Sequence, residues 1–434
     1  MSDTTNLQEL GPQMYEMITG MFPICRSITG DGLRDTLRAV QRHIPLEIHE
    51  VPSGTQVFDW VVPREWNVRD AYVANAQGER VIDFRKHNLH LVNYSIPVRA
   101  RMSLAELRPR LFTLPDQPDL IPYRTSYYNE TWGFCLSHND LQKLEEGEYE
   151  VVVDTTLAPG HLSYGEFFLP GETDEVVMFT THCCHPSICN DNLSGIAHNT
   201  FLAKQLMAMP KRRYSYRFLF GPGTIGAITW LALNEAKTKN IRHGLVIANM
   251  GDGGFMHYKQ SRRGNAEIDR IVEHVLRTGG GQYDIRPFIP WGYDERQYCS
   301  PGFNLPMGSL SRTPNGQYPE YHTSADNLSF VYPEKLVDSL SKTLKIVEVI
   351  EHDRRYMNTN PKCEPQLGKR GLYSAVGGRT KIKETEHAMF YLLNFSDGEH
   401  SLLDIAERAN LPFSLMKEVA ELVMPSGLIV EAGA

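Results

Sequence analysis

The segment Thr181-His182-Cys183-Cys184-His185-Pro186 is followed at once by a second polar run, Asn190-Asp191-Asn192-Leu193-Ser194-Gly195. Imidazole nitrogen and carboxylate oxygen are standard zinc ligands, and a catalytic zinc usually takes three protein ligands with one position open. His182 ends an apolar run, Val176 to Thr181, and Asp191 opens the next helical stretch, so the two can converge on one point. A third ligand must come from elsewhere. His322, in Glu320-Tyr321-His322-Thr323-Ser324-Ala325-Asp326, is the best candidate, because its polar loop shortly precedes a long closing helix. A lone His-x-x-His reads more simply as hydrogen-bonded loop histidines, with Asp191 as a helix cap. Two such segments at strand ends favour a metal site.

The elements that must position these residues follow an α/β pattern from about Glu175. Val176 to Thr181, Tyr214 to Phe220 and Gly244 to Ala248 read as strands, alternating with helices at Ile196 to Met209 and Ile225 to Glu235. Such alternation implies a mostly parallel sheet with helices on both faces. Ligands then bind beyond the carboxyl ends of the strands. All three strands end in polar or Gly-rich segments there. Two helical stretches, Leu7 to Met21 and Asp31 to His43, precede a region of short alternating runs: Val68 to Ala74, Arg80 to Phe84, Leu89 to Tyr94 and Glu148 to Asp154. Pro333 to His352 has the stripe of a long amphipathic helix, and the polar stretch Asp353 to Gln366 reads as a linker. Helices near Glu384 to Leu393, Ser401 to Ala409 and Phe413 to Met424, then a strand at Gly427 to Val430, suggest a winged helix. The expected organisation is a discontinuous α/β domain (1–50 and 155–355), an inserted mostly β domain (51–154) and a winged-helix domain (361–434).

The chain has 434 residues, 41% hydrophobic and 22% charged, with Lys+Arg 44 against Asp+Glu 52 and a formal net charge of -8. That balance argues against a surface that attracts nucleic acid throughout. Residues 361–434 hold 8 Lys and Arg against 10 Asp and Glu, and the candidate recognition helix has one Lys and two Glu. Phosphate contact dominates DNA affinity, so the winged helix is expected to serve a protein partner or self-association. No apolar stretch reaches the ~20 residues needed to span a membrane, and the first ten residues lack the pattern of a signal peptide. Seven scattered cysteines fit reduced thiols in the cytoplasm.

His182, the Asp191-Asn192-Leu193-Ser194-Gly195 run and Tyr321-His322-Thr323 resemble the zinc-binding pattern of the co-catalytic zinc aminopeptidases, the bacterial leucyl aminopeptidase and glutamate carboxypeptidase type. A closer resemblance, over essentially the whole chain, is to a bacterial group of aminopeptidase-like proteins with an inserted β domain and a C-terminal winged helix, often associated with surface-polysaccharide or secondary-metabolite biosynthesis. Phe22-Pro23-Ile24-Cys25-Arg26-Ser27, Asn93-Tyr94-Ser95-Ile96-Pro97-Val98 and Asp294-Glu295-Arg296-Gln297-Tyr298 carry it. The resemblance implies that His182, Asp191 and His322 are metal ligands.

The chain also departs from the aminopeptidase pattern. Cys184 stands where an Asp orients the first His, and Gly223-Thr224 stands where a Glu-Glu pair supplies the general base and a ligand of a second zinc. The third strand ends near Asn249, with Asp252 three residues on, in place of an Asp ligand. One zinc on His182, Asp191 and His322 is the economical reading. A carboxylate must still accept a proton, and Glu320 and Glu295 are the candidates. Arg296 could bind a substrate carboxylate, and Asp252 could meet metal or substrate. The expected function is a zinc-dependent, aminopeptidase-like hydrolase of a peptide or amide bond in a small molecule or peptide. The alternatives are an amidase or deacylase on an amino-sugar or carrier-linked intermediate, or a non-catalytic binding protein on a degenerate peptidase fold.

Overall fold

The computed structural model describes residues 7–372 and 384–433; the first six residues, read above for a signal peptide, and 373–383 of the expected winged-helix domain lie outside them. An eight-stranded sheet forms the centre. Its strands in chain order are β1 (Glu47–Pro52), β2 (His161–Leu169), β3 (Val176–His182), β4 (Ser215–Gly221), β5 (Ile241–Ile247), β6 (Met256–Lys259), β7 (Tyr283–Arg286) and β8 (Met307–Ser311). They lie side by side as β1-β2-β4-β3-β5-β8-β6-β7. The four inner strands β4, β3, β5 and β8 run parallel, and β1, β2 and β6 pair antiparallel. Every residue of β3 and β4 is buried. Parallel strands need crossovers, and the helices that supply them cover the sheet faces. Gly195–Met207 joins β3 to β4 and Ile225–Leu233 joins β4 towards β5. The carboxyl ends of β3, β4 and β5 therefore open side by side.

A second, antiparallel sheet has the order Arg80–Asp83, Glu65–Ala74, Glu148–Ala158, Val98–Ser103. Leu89 to Tyr94, expected as a strand, instead holds a short 3-10 turn at Asn88–His90 and two isolated bridges. Tyr94 adopts φ +72°, and buried Asn93 and Ser95 spend their polar atoms on side-chain hydrogen bonds. That breaks the extended backbone a strand needs. Val98–Ser103 takes the fourth place in the sheet.

By its contacts the chain divides into two compact units, Met1–Ala266 with Asp284–Leu340, and Glu267–Tyr283 with Ser341–Ala434. The antiparallel sheet belongs to the first. In the second, helices Glu384–Phe395, Leu402–Ala409 and Phe413–Val423 accompany a three-stranded sheet ordered Asp397–Ser401, Arg355–Asn358, Ile429–Glu431. Arg355–Asn358 lies in the stretch expected as a linker. Its side chains alternate exposed and buried, with Tyr356 and Asn358 inward, so it pairs as a central strand despite polar neighbours. The amphipathic helix Glu267–Thr278, unassigned from the sequence, contributes His274, whose Nε2 accepts the Phe413 N–H at 3.1 Å. No helix among the described residues is long and apolar enough to cross a membrane.

Burial holds eight imidazoles below their ordinary value, His43 and His90 among them, and six fall furthest: His87, His198, His274 and His352 to about 4, and His185 and His243 to about 3. Burial raises four carboxyls, Glu348 among them, and three rise furthest, Asp326 to about 7 and Asp294 and Asp353 to about 6. Near pH ~5 the unfolded chain binds protons on the six imidazoles, whereas the folded chain keeps protons on the three carboxyls; the unfolded state binds more, so stability falls with falling pH. The urea midpoint of the metal-free protein should therefore drop between about pH 6 and about pH 4.5. A flat or rising midpoint would contradict this account.

Candidate metal centre

β3 delivers His182 to the sheet edge with its side chain sealed from solvent, and the turn Cys189–Ser194 delivers Asp191, which is equally buried. His182 Nε2 lies 2.6 Å from Asp191 Oδ1. On the other oxygen, Oδ2, His322 Nε2 lies at 3.1 Å and His185 Nε2 at 3.8 Å. One carboxylate thus faces three imidazoles. The donor atoms of His182, His185 and Asp191 all fall within 4.8 Å of one another, close enough for one metal ion to reach all three. The side chain of His322 is 33% exposed, which marks the open side of the centre.

The turn carrying Asp191 is fixed by its own polar side chains. Asn192 Nδ2 donates to Thr181 Oγ1 at 2.8 Å and to the His182 carbonyl at 3.1 Å, and lies 3.2 Å from His182 Nδ1. Its Oδ1 accepts the N–H of Gly195 and of Asn249, both at 3.2 Å. Ser194 Oγ accepts the Met250 N–H at 2.8 Å, and Asn190 Oδ1 accepts that of Gly251 at 3.0 Å. The end of β3, the start of the next helix and the loop after β5 are thereby tied together. From the His322 loop, Asp326 accepts the N–H groups of Asn190 and Asp191 at 2.6 and 3.1 Å.

Aromatic rings wall the centre. The Tyr293 ring lies 4.0 Å from that of His182, and Tyr321 stacks on His322 at 3.9 Å. Tyr123 meets both His185, at 4.9 Å, and His322, at 5.0 Å, and its N–H donates to the His322 carbonyl at 2.8 Å. Tyr123 belongs to the segment expected as an inserted domain, so that segment builds part of the wall. Electrostatics follow from burial and neighbours. Desolvation works against the Asp191 charge, but His185, His182 and His322 hold its carboxyl well below the usual range. Desolvation keeps His185 neutral, at about 3, against the pull of Asp191. Burial also pushes the Tyr293 phenol well above its ordinary value.

The other expected site residues stand as follows. Asp252, expected at metal or substrate, is 1% exposed and fills both oxygens with Gly254 N–H, Thr313 N–H and Oγ1, and Asn190 Nδ2, at 2.6 to 3.2 Å. It braces the Asp191 turn and has no acceptor position left for substrate. Glu295 is 1% exposed, pairs with Lys259 and accepts the Tyr293 N–H. Its carboxylate is occupied in holding the Tyr293 loop. Glu320 is half-buried, two residues from His322. Arg296 is half-buried, with Nε sealed from water and unpartnered among the described residues. Gly223 leaves room for Tyr293: a Cβ there would lie 1.9 Å from the phenol oxygen. Cys183 and Cys184 are buried, and Cys184 Sγ accepts the Gly223 N–H at 3.3 Å. Asn249 directs its amide to Thr313 and Asn315.

Three residues of the centre were not foreseen. His185 is masked by the commonness of His-x-x-His. Tyr123 and Tyr293 come from remote segments with no local signal, although Tyr293 lies inside the run that singled out Glu295 and Arg296.

Residues 15–353 match the profile of a family described as a domain of unknown function, DUF4910. The chain belongs to this family. Residues 354–431 match a winged helix-turn-helix profile. A relative from Clostridium acetobutylicum, named "Putative polysaccharide biosynthesis protein with aminopeptidase-like domain", is 54% identical over 416 residues, covering 96% of this chain and 95% of its own. A crystal structure of a putative peptidase from the same organism superposes with a TM-score of 0.94 at 52% identity, covering 98% of each chain. A zinc aminopeptidase from Bacillus subtilis superposes with a TM-score of 0.56 at 12% identity, covering 78% of this chain and 94% of that one. The fold is thus aminopeptidase-like, with a winged helix at its C-terminal end.

Asp326→Ala should leave two buried N–H groups without acceptors. Each costs about 1–3 kcal/mol, and urea denaturation of the metal-free variant should show a loss of that order. An unchanged midpoint would remove Asp326 from the account of the turn.

Proposed function

We propose that this chain is a zinc-dependent, aminopeptidase-like hydrolase of a peptide or amide bond, acting in the cytoplasm on a small-molecule or peptide substrate of a biosynthetic pathway. The observation that carries the reading is the ionised Asp191 carboxylate ringed by the imidazoles of His182, His185 and His322. The donor set fits zinc: imidazole nitrogens and the oxygens of an anionic carboxylate. His182, Asp191 and His322 are the proposed ligands, with His185 the additional imidazole on Asp191. When bound, zinc polarises a carbonyl and lowers the pKa of water.

The remaining work falls to the chain itself. The rings of Tyr123, Tyr293 and Tyr321 keep bulk water from the buried side, and the exposed edge of His322 leaves an approach for substrate. Glu320 is the proposed proton acceptor, since the Glu295 carboxylate is tied to Lys259. Arg296, with an unpartnered Nε, is proposed to receive an anionic group of the substrate. The name of the Clostridium relative favours a second reading within the same chemistry, an amidase or deacylase acting on an amino-sugar. The glycine in place of a base-bearing Glu is what favours a non-catalytic binding protein, which need not hold stoichiometric metal.

Zinc-loaded protein should contain one zinc per chain by elemental analysis, and His182→Ala and His322→Ala should each lose it. Full retention in both variants would defeat the site assignment. Glu320→Gln should keep zinc and lower kcat by about 10²–10⁴-fold with little change in KM. Near wild-type turnover in Glu320→Gln, with loss in Glu295→Gln, would reverse the two roles.

We further propose that the winged helix serves a protein partner or self-association. In its third helix Lys417 is engaged by Glu348 and Glu421, at 3.3 and 3.5 Å, which leaves little free charge for phosphate. The full chain should show no salt-sensitive mobility shift with duplex DNA; a shift at low salt that vanishes at high salt would overturn this.

A further inference from the structure

Arg26 is 1% exposed and, among the described residues, forms no ion pair with a carboxylate. Its Nη1 donates to the His185 carbonyl at 2.8 Å, its Nε to Thr36 Oγ1 at 3.0 Å, and its Nη2 to the Met21 carbonyl. A buried cation without a counter-ion is costly, and simple filling of that space would call for an apolar side chain. What a guanidinium adds is a rigid planar fork of donors that fixes several acceptors relative to one another. One of those acceptors is the backbone of the loop that carries His185. The far end of the same loop is tied to the same N-terminal segment. Ser187 Oγ donates to the Phe22 carbonyl at 3.0 Å, and Asn88 Nδ2 reaches both Ser187 Oγ, at 2.7 Å, and the Pro23 carbonyl, at 3.1 Å. The Arg26 carbonyl in turn accepts from Asn93 Nδ2 at 3.1 Å, and Asn93 bonds through its backbone to Arg124 and Ser126, beside Tyr123.

We propose that Arg26 is a positioning residue for the metal centre, fixing His185 against Asp191 through the His185 carbonyl. The proposal rests on the metal-binding reading above and assigns a task to the segment Phe22 to Ser27, which supplies no ligand. Arg26 acts only through His185, so its effect should disappear when the imidazole is absent.

A double-mutant cycle on zinc affinity tests this, measured by competition with a chromogenic chelator on full-length protein. His185→Ala should weaken zinc binding. Arg26→Met should weaken it by up to about 10–100-fold and by no more than His185→Ala does, since it disturbs the imidazole that orients the ligand Asp191. Arg26→Lys, which keeps the charge and one flexible donor, should recover part of the loss. Arg26→Met combined with His185→Ala should bind zinc no more weakly than His185→Ala alone. If Arg26→Met does not fold, the same cycle with Arg26→Lys should give a smaller loss that is again absent from the His185→Ala background. Unchanged affinity in the Arg26 variants, or losses that multiply in the double variant, would overturn the proposal and leave the metal reading standing. Wild-type protein that takes up no zinc would overturn both.

Discussion

A carboxylate with a side chain only 1% exposed must be compensated where it stands. Asp191 meets that demand with imidazoles on both oxygens, and much of the surrounding structure exists to keep them there. His182 arrives on a strand buried along its whole length, so its position is as rigid as the sheet. Asn190, Asn192 and Ser194 turn their side chains inward to bond strand ends and loop N–H groups, which is why four of the five residues from 190 to 194 are polar and all are buried. Asp326 closes the arrangement from the far loop. The same charge that suits a cation makes the centre intolerant of partial assembly.

Much of this was legible in the sequence, for a physical reason. A buried parallel strand is a continuous apolar run, and when it ends abruptly in His and Asp the polar groups have few places to go but the site. Asp191 meets His182 on one oxygen and His322 on the other, but the compact donor group takes His185 in place of His322. Pro333 to His352 is a helix with the expected bounds, because a long stripe opened by a proline has few other solutions. Legibility failed where a residue's role is set by distant contacts. Nothing around Tyr123 announces that it will lie against two histidines, and Asp252 looks like a ligand until its loop folds back and fills its oxygens. The strand Arg355–Asn358 was hidden because a four-residue strand with two exposed polar or flexible side chains has the composition of a linker.

The segment expected as an inserted β domain supplies part of the wall of the centre. Its sheet shares a compact unit with the α/β core, and residues 121 to 126 run beside the His322 loop. Ile121 exchanges backbone and side-chain hydrogen bonds with Ser324, and Tyr123 holds the His322 carbonyl. After β4, where the resemblance to the aminopeptidases implies carboxylates, this chain places a glycine, and the Tyr293 phenol from another loop fills the space. The two changes are coupled, since neither Tyr293 with a side chain at position 223 nor Gly223 with an empty pocket would pack.

The wide separation of the residues around Asp191 has a consequence in time. His182 and His185 leave the ribosome only a few residues before Asp191, but His322 follows Asp191 by 131 residues. At about 5–20 residues per second, the interval is on the order of ten seconds. Through it the nascent chain carries a carboxylate with two of its three imidazoles and without the loop that holds its turn. Assembly of the centre is therefore a late event of synthesis, completed only once the His322 loop has closed.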